Sequence, residues 1–238
     1  MHPNKCFGVI SSKVSHPCKC FDVIPCKEMY PYKCFEKVPV NIISYLCTKT
    51  YLMLDFNLIL KNENVVLRPM VEDDYHEYVK ITNDKSLWKY FAQDLSDPDQ
   101  LKTWVGKALK QLSEKLRLPF TIIDKGNGSI IGSTSFLNIS MYDKRLEIGG
   151  TWIGKNYQGK GINDQIKYLM LEYCFETLKL ERVELKTDVL NTFSRNAMKR
   201  IGFTEEGILR SHMLMTNNRR RDSIYYSMLR NEWEGLKK

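Results

Sequence analysis

No stretch of this 238-residue chain approaches the roughly 18 consecutive apolar residues that a membrane span requires. Its start, Met1-His2-Pro3-Asn4-Lys5-Cys6, lacks the apolar core of a secretory leader. A cytoplasmic location with no membrane partner is therefore expected. Cys-x-x-Cys pairs are missing, so the usual zinc-ribbon and redox patterns do not apply. The nucleotide P-loop Gly-x4-Gly-Lys-Ser/Thr is also missing, and Gly159-x-Gly161-x-x-Asp164 lacks the third glycine of a dinucleotide fingerprint. Cysteine is nearly absent after residue 52, where Cys174 stands alone.

What is present divides unevenly. Residues 1–52 hold six of the seven cysteines and 7 lysines against 3 acids. Residues 53–238 carry 29 lysines and arginines against 25 acids, so each part contributes +4 to the formal charge of +8. That balance gives the larger part little reason to bind nucleic acid, which would show steeply salt-dependent association. Lys5-Cys6-Phe7, Lys19-Cys20-Phe21 and Lys33-Cys34-Phe35 recur every 14 residues, a period shorter than that of the usual repeat units. The single Cys18-x-Cys20 leaves a metal site weakly supported, and a disulfide framework would need an oxidising compartment. A third reading is a disordered or non-native extension, with Met53 as the true initiator. The expected division is an extension at 1–52 and one domain at 53–238.

Residues 64–69 read as a strand closed by Pro69, followed by a helix from Val71 to Asn83 with an acidic start. Asp97-Pro98-Asp99-Gln100 opens a second helix, reaching about Leu116, with cap, N1 proline and N3 glutamine. Strands at 119–124 and 130–136 flank Lys125-Gly126-Asn127-Gly128, a hairpin signal. Strand 145–153 contains Gly149-Gly150, which predicts a bulge or a close backbone approach. A helix from Gly161 to Leu178, a strand at 182–187, a helix from Ser194 ended by Gly202, and strands at 203–215 and 221–229 complete the order. This is an α/β pattern on a mixed, mostly antiparallel central sheet with flanking helices.

Tyr157-Gln158-Gly159-Lys160-Gly161-Ile162-Asn163 lies between a strand and a helix, where glycines let backbone N–H groups approach a phosphate. Gln158-x-x-Gly161-x-Asn163 resembles the pyrophosphate loop of the GNAT superfamily of N-acetyltransferases. Leu146-Glu147-Ile148-Gly149 with Thr151-Trp152-Ile153 resembles the bulged central strand of that superfamily. Asn191-x-x-Ser194-x-x-Ala197, Gly202-Phe203, Glu206-Gly207, Arg210-Ser211-His212-Met213, the run Arg221–Ser227 and Glu232-Trp233 are similar to its ribosomal-protein N-terminal acetyltransferase branch. The resemblance spans about residues 58–235 and omits the repeat.

It implies the acyl-CoA N-acyltransferase fold, acetyl-CoA as cosubstrate without a metal, and a primary amine acceptor attacked directly in a ternary complex. The acceptor would be a protein N-terminus or a small molecule, with no specific nucleic acid, and a homodimer is left open. Cofactor contacts are expected from Trp152 and Ile153, from Gln158, Gly159, Lys160, Gly161, Ile162 and Asn163, and from Asn191 and Ser194. Glu147 is the expected general base, with a structural carboxylate as the alternative. Ser194 is expected to bond the leaving sulfur or the pantetheine, or to cap its helix. Where some relatives carry a tyrosine acid this chain has Met198. That departure, with Asn163 in place of a small residue, leaves a degenerate acyl-CoA-binding module as the alternative function. His212 reads as a proton relay or a sheet histidine, Cys174 as core, and Arg219-Arg220-Arg221 as a solvated hairpin tip or a contact to the CoA 3′-phosphate. The acidic helix start (Glu72, Asp73, Asp74, Glu77), with Trp88, Tyr90 and Phe91, reads as a cationic-amine site or a solvated face.

Overall fold

The computed structural model describes residues 53–216 and 218–237. The extension at 1–52, with its metal, disulfide and non-native readings, and Asn217 lie outside the described residues. Eight strands form one sheet: β1 (Leu60–Lys61), β2 (Val65–Pro69), β3 (Leu118–Asp124), β4 (Ile130–Ser140), β5 (Arg145–Ile153), β6 (Arg182–Asp188), β7 (Thr204–Leu214) and β8 (Arg220–Leu229). Their spatial order is β1-β2-β3-β4-β5-β6-β8-β7, antiparallel throughout except for the parallel β5–β6 junction. The α-helices among the described residues are α1 (Asp74–Thr82), α2 (Pro98–Ser113), α3 (Ile162–Glu172), α4 (Thr192–Ile201) and α5 (Arg230–Leu236). This is the α/β, mostly antiparallel architecture expected from the pattern. No described helix is long and apolar enough to cross a membrane.

Strand alternation gives the sheet two cores. On one face Phe120, Ile122, Phe136, Leu146, Ile148, Val183, Leu185 and Tyr226 meet Ile166, Met170, Cys174 and Phe175 from α3 and the turn after it. On the other, Trp152 joins Tyr78, Trp88, Trp104, Val105 and Ala108, supplied mainly by α1 and α2. Trp152 meets Tyr78, Trp88 and Trp104 edge to face at 5.1, 5.5 and 6.3 Å between ring centroids, a geometry the ring quadrupoles favour. Asp97 caps α2 by accepting from the N–H groups of Asp99 and Gln100 at 2.8 and 3.2 Å.

The departures from the sequence reading have local causes. β4 runs past Phe136 because Asn138, at φ 48°, absorbs an irregularity and pairing resumes at Ser140↔Arg145. The predicted helix from Gly161 to Leu178 is one helical run whose last turn, Tyr173–Thr177, widens to π geometry. α4 begins at Thr192 and not at Ser194, because Asn191 supplies its cap. The short strand β1, the 3-10 turn Lys85–Trp88 and helix α5 carry too little periodicity to be read from sequence.

Candidate active site

β5 and β6 run together for three paired positions, Arg145↔Arg182, Leu146↔Val183 and Glu147↔Glu184, and then part. β5 continues along β4 to Ile153, and β6 continues along β8 to Asp188. Among the described residues, the β6-facing edge of Ile148–Ile153 has no strand partner. The predicted bulge lies on this stretch: Gly150 and Thr151 together oppose Thr134, and Gly150 adopts φ 60°, which suits glycine. Gly150 is exposed, so the bulge opens to solvent in the middle of the sheet.

The loop after β5 closes one end of the gap. Gln158 Nε2 donates to the Ile153 carbonyl at 2.8 Å, which ties the loop to the strand it leaves. Gly159 and Gly161 both stand at φ 74°, and Gly161 begins α3 without a side-chain cap. The first N–H groups of α3 are thus left for an anion. Lys160 Nζ lies 5.6 Å from the centre of the Tyr157 ring. Among the described residues the Asn163 side chain makes no hydrogen bond, and the half-buried Ile162 leans on the main core. Asp164, the one acid in the first turn of α3, is paired with Arg200 of α4 at 2.9 Å, which reduces its repulsion of an anion.

Glu147 marks the point where the strands part. It is 2% exposed, and its Oε2 accepts from Asn138 Nδ2 at 2.7 Å and from Lys186 Nζ at 2.8 Å. Oε1 accepts no hydrogen bond among the described residues. On the β6 side, Asn191 Oδ1 accepts from the Ser194 N–H at 3.1 Å, so Asn191 is the cap of α4 and Ser194 lies in its first turn. This corrects the cap reading of Ser194 and leaves its hydroxyl unbonded among the described residues. Met198 is buried in the main core. Trp152 and Ile153 have buried side chains, so a ligand in the gap would meet their backbone.

A bulged strand and a glycine-rich loop before a helix occur in the order the motifs implied, and the structure adds the parting of β5 from β6. The family profile described as "Acetyltransferase (GNAT) domain" matches residues 64–204. The chain belongs to the GNAT acetyltransferase family. It is 33% identical over 181 residues to the Bacillus subtilis protein named "Putative ribosomal N-acetyltransferase YdaF", covering 74% of this chain and 97% of that one. It is 23% identical over 171 residues to the Escherichia coli spermidine N(1)-acetyltransferase, covering 71% and 88% of the two chains. The crystal structure of a GCN5-related N-acetyltransferase from Brucella melitensis superposes with a TM-score of 0.70 at 26% identity, covering 76% of this chain and 82% of that one.

In this GNAT acetyltransferase the remaining sequence candidates resolve as follows. Asp74 is buried and bound by Arg68, by Thr121 Oγ1 and by the Val71 N–H, while Glu77 pairs with Lys80. Two of the four acids at the start of α1 are therefore already paired, while Glu72 and Asp73 stay exposed. Trp88 and Phe91 pack into the aromatic core. The three arginines are not a uniformly solvated tip. Arg219 pairs with buried Asp188, Arg220 bonds Ser211, and Arg221 is 7% exposed with Nη1 on the Tyr90 carbonyl at 3.3 Å. His212 Nδ1 meets Ser223 Oγ at 3.0 Å, and its ring lies edge-on to Tyr225. Desolvation, then Lys186 and Arg221, hold His212 below the usual histidine pKa. Cys174 is fully buried, and burial pushes its thiol up. The described residues contain no group of three or more His, Cys, Asp or Glu able to hold a metal.

Sequence reasoning missed two buried cations. Lys167 of α3 is 5% exposed, donates to Thr151 Oγ1 at 2.6 Å and has no acidic partner among the described residues. Desolvation lowers its pKa to about 7. Its position between Ile166 and Met170 in an apolar run was the available signal. Arg117, just before β3, is 8% exposed, donates from Nε to Ser135 Oγ at 2.9 Å and stacks its guanidinium 5.3 Å from the Trp104 ring. Nothing in its local sequence marked it.

Proposed function

We propose that the chain transfers the acetyl group of acetyl-CoA to a primary amine, of a protein N-terminus or a small molecule, by direct attack within a ternary complex. The observation that carries this reading is the gap between β5 and β6, with a buried carboxylate at its apex and a helix-capping glycine loop at its mouth. The free edge of Ile148–Ile153, including the backbone of Trp152 and Ile153, suits the amide groups of pantetheine. The pyrophosphate is assigned to the loop Gln158–Asn163, where Gly159, Gly161 and Ile162 offer N–H groups and Lys160 and Asn163 offer side-chain donors. Asn191 orients the first turn of α4, and its Ser194 hydroxyl is assigned to the sulfur.

In the reaction the neutral amine nitrogen attacks the thioester carbonyl carbon, and the proton it loses in becoming an amide passes to Glu147 Oε1, directly or through water. The carbon–sulfur bond then breaks and CoA leaves as a thiolate, to which Ser194 donates a hydrogen bond. Asn138 and Lys186 hold Oε2 and so fix Oε1. Strand N–H groups beside the bulge can stabilise the developing oxyanion. Met198, apolar and buried, supplies no proton, so the thiolate is protonated from solvent.

Full-length chain incubated with acetyl-CoA and amines of several classes should release free CoA, and Glu147→Gln should slow that release. Met198 favours a second reading, an acyl-CoA-binding module without turnover. Acetyl-CoA binding without CoA release from any amine, and no effect of Glu147→Gln beyond local stability, would establish that reading instead.

A further inference from the structure

The face of the sheet that carries Glu147 also carries more buried positive charge than its acids can match. Glu147 is taken by Lys186 and Asp188 by Arg219. Arg117 and Arg221 remain, each more than nine-tenths buried and neither in an ion pair among the described residues. Arg221 Nε is buried without a hydrogen-bond partner. Arg117 uses Nε on Ser135 but makes no hydrogen bond through its terminal nitrogens among the described residues. A buried cation lacking an anion costs several kcal/mol, and Trp104 offsets a small part of that through its ring face. Such a cation is expected to have an anionic partner in the working complex.

The bulge lies beside one of these cations. Leu137 registers with Glu147 and Ser135 with Gly149, so the Arg117-bound side chain of Ser135 shares the face of Glu147. A Cβ on Gly149 would stand 2.9 Å from Glu147 Oε1, and one on Gly150 would stand 3.5 Å from Arg117 Nη2. A Cβ on Gly149 would also meet Leu137 Cδ1 at 2.8 Å, so that position is filled; the opening to solvent is at Gly150, with the Arg117 guanidinium beside it and the Glu147 carboxylate against the neighbouring Gly149. Arg221, on β8, is governed by desolvation and then by the charge of Asp188, with Glu147 a smaller influence.

We propose that the acceptor is an amine that also carries a carboxylate a few bonds away, with Arg117 holding the carboxylate and Glu147 Oε1 facing the amine. This deepens the transfer reading above and rests on it. Free amino acids and peptides whose first side chain is acidic share the required chemistry. The guanidinium fork matches a carboxylate through two parallel N–H groups, whereas a polyamine would bring more positive charge to an already cationic face.

The test uses the full chain with acetyl-CoA and matched acceptors, read as kcat/KM for CoA release. The acceptors are an L-amino acid and its amide, an Asp-first peptide and its Asn-first counterpart, and spermidine. The acid member of at least one pair should exceed its amide by about 10- to 100-fold, and which pair responds tells a free amino acid from a peptide. Arg117→Gln should raise the KM of the acid member and collapse the acid-to-amide ratio toward one. Arg117→Lys, which keeps the charge without the fork, should retain part of the ratio and decides the matter if the glutamine variant does not fold. Arg117→Gln should also unfold at the same temperature as the parent or higher, since it removes an unpaired buried charge; a structural role would lower that temperature. Amides or spermidine turning over as well as the acids, or Arg117→Gln slowing both members of a pair equally, overturns the proposal and leaves the transfer reading standing. Acetyl-CoA binding with no CoA release from any acceptor overturns both.

Discussion

The two halves of the sheet are built from different materials. From β1 to β5 the strands are sandwiched between apolar layers, and the α1–α2 side is dominated by interlocked aromatic rings. From β6 to β7 one face still meets the main core, but the opposite face is held by charge: Arg182 with Glu184 and Glu206, Arg219 with Asp188, and Lys186 with Glu147. β7 is almost wholly exposed. The apolar half provides rigidity without demanding particular partners. The charged half fixes the direction of individual polar side chains, and the carboxylate assigned as base sits on the seam between the two.

The sharpest way to break this comparison is a core deletion in the apolar half. Phe136→Ala should cost about 3–5 kcal/mol in denaturant unfolding; a loss below about 1 kcal/mol would mean that this half tolerates voids like a loosely packed domain. At the seam, Glu147→Gln should lower kcat by about 100- to 1,000-fold, and it should lower the unfolding temperature as well, because Lys186 loses its buried partner. An unchanged kcat would reduce the seam carboxylate to a structural group. Beneath β5, Lys167→Met should stabilise the fold by about 1–3 kcal/mol at neutral pH, because it removes an unpaired buried amine. The folded pKa of Lys167, about 7, lies below its ordinary value of 10.5. Between these values the unfolded chain binds the extra proton, so the parent gains stability as pH rises from about 7 toward 10. The methionine variant should show a flatter profile over that window, and parallel profiles would sink the assignment. In the charged half, Arg182→Ala should cost no more than about 1 kcal/mol, and less in high salt, because the pair is partly exposed. A larger, salt-independent loss would show that this half has a hidden apolar core.

What the sequence disclosed follows the same division. The hairpin after β3, the bulge next to Gly149, the start of α2 at Asp97 and the glycine loop before α3 are local devices, each written within a few consecutive residues. Glu147 was found by its place in a strand motif. Its anchors Asn138 and Lys186 were not, because they lie 9 and 39 residues away and meet it through strand pairing. Arg117 escaped for the same reason: its partners Ser135 and Trp104 belong to β4 and α2. The acidic run 72–77 was legible only in part, because charge in sequence does not show that Asp74 turns inward to Arg68 and Thr121 while Glu72 and Asp73 stay exposed. Charge patterns locate surfaces, whereas pairing partners need the fold.

The three-position seam between β5 and β6 has a kinetic consequence. Amides on the open edge of Ile148–Ile153 sit at the centre of an eight-stranded sheet yet lack a strand acceptor on that side. Deuterium should therefore enter the molecule there as early as it enters the exposed outer strand β7. A bound acyl-CoA should slow that exchange in β5 and in the loop Gln158–Asn163 but not in β7, giving a fingerprint of occupancy that needs no turnover.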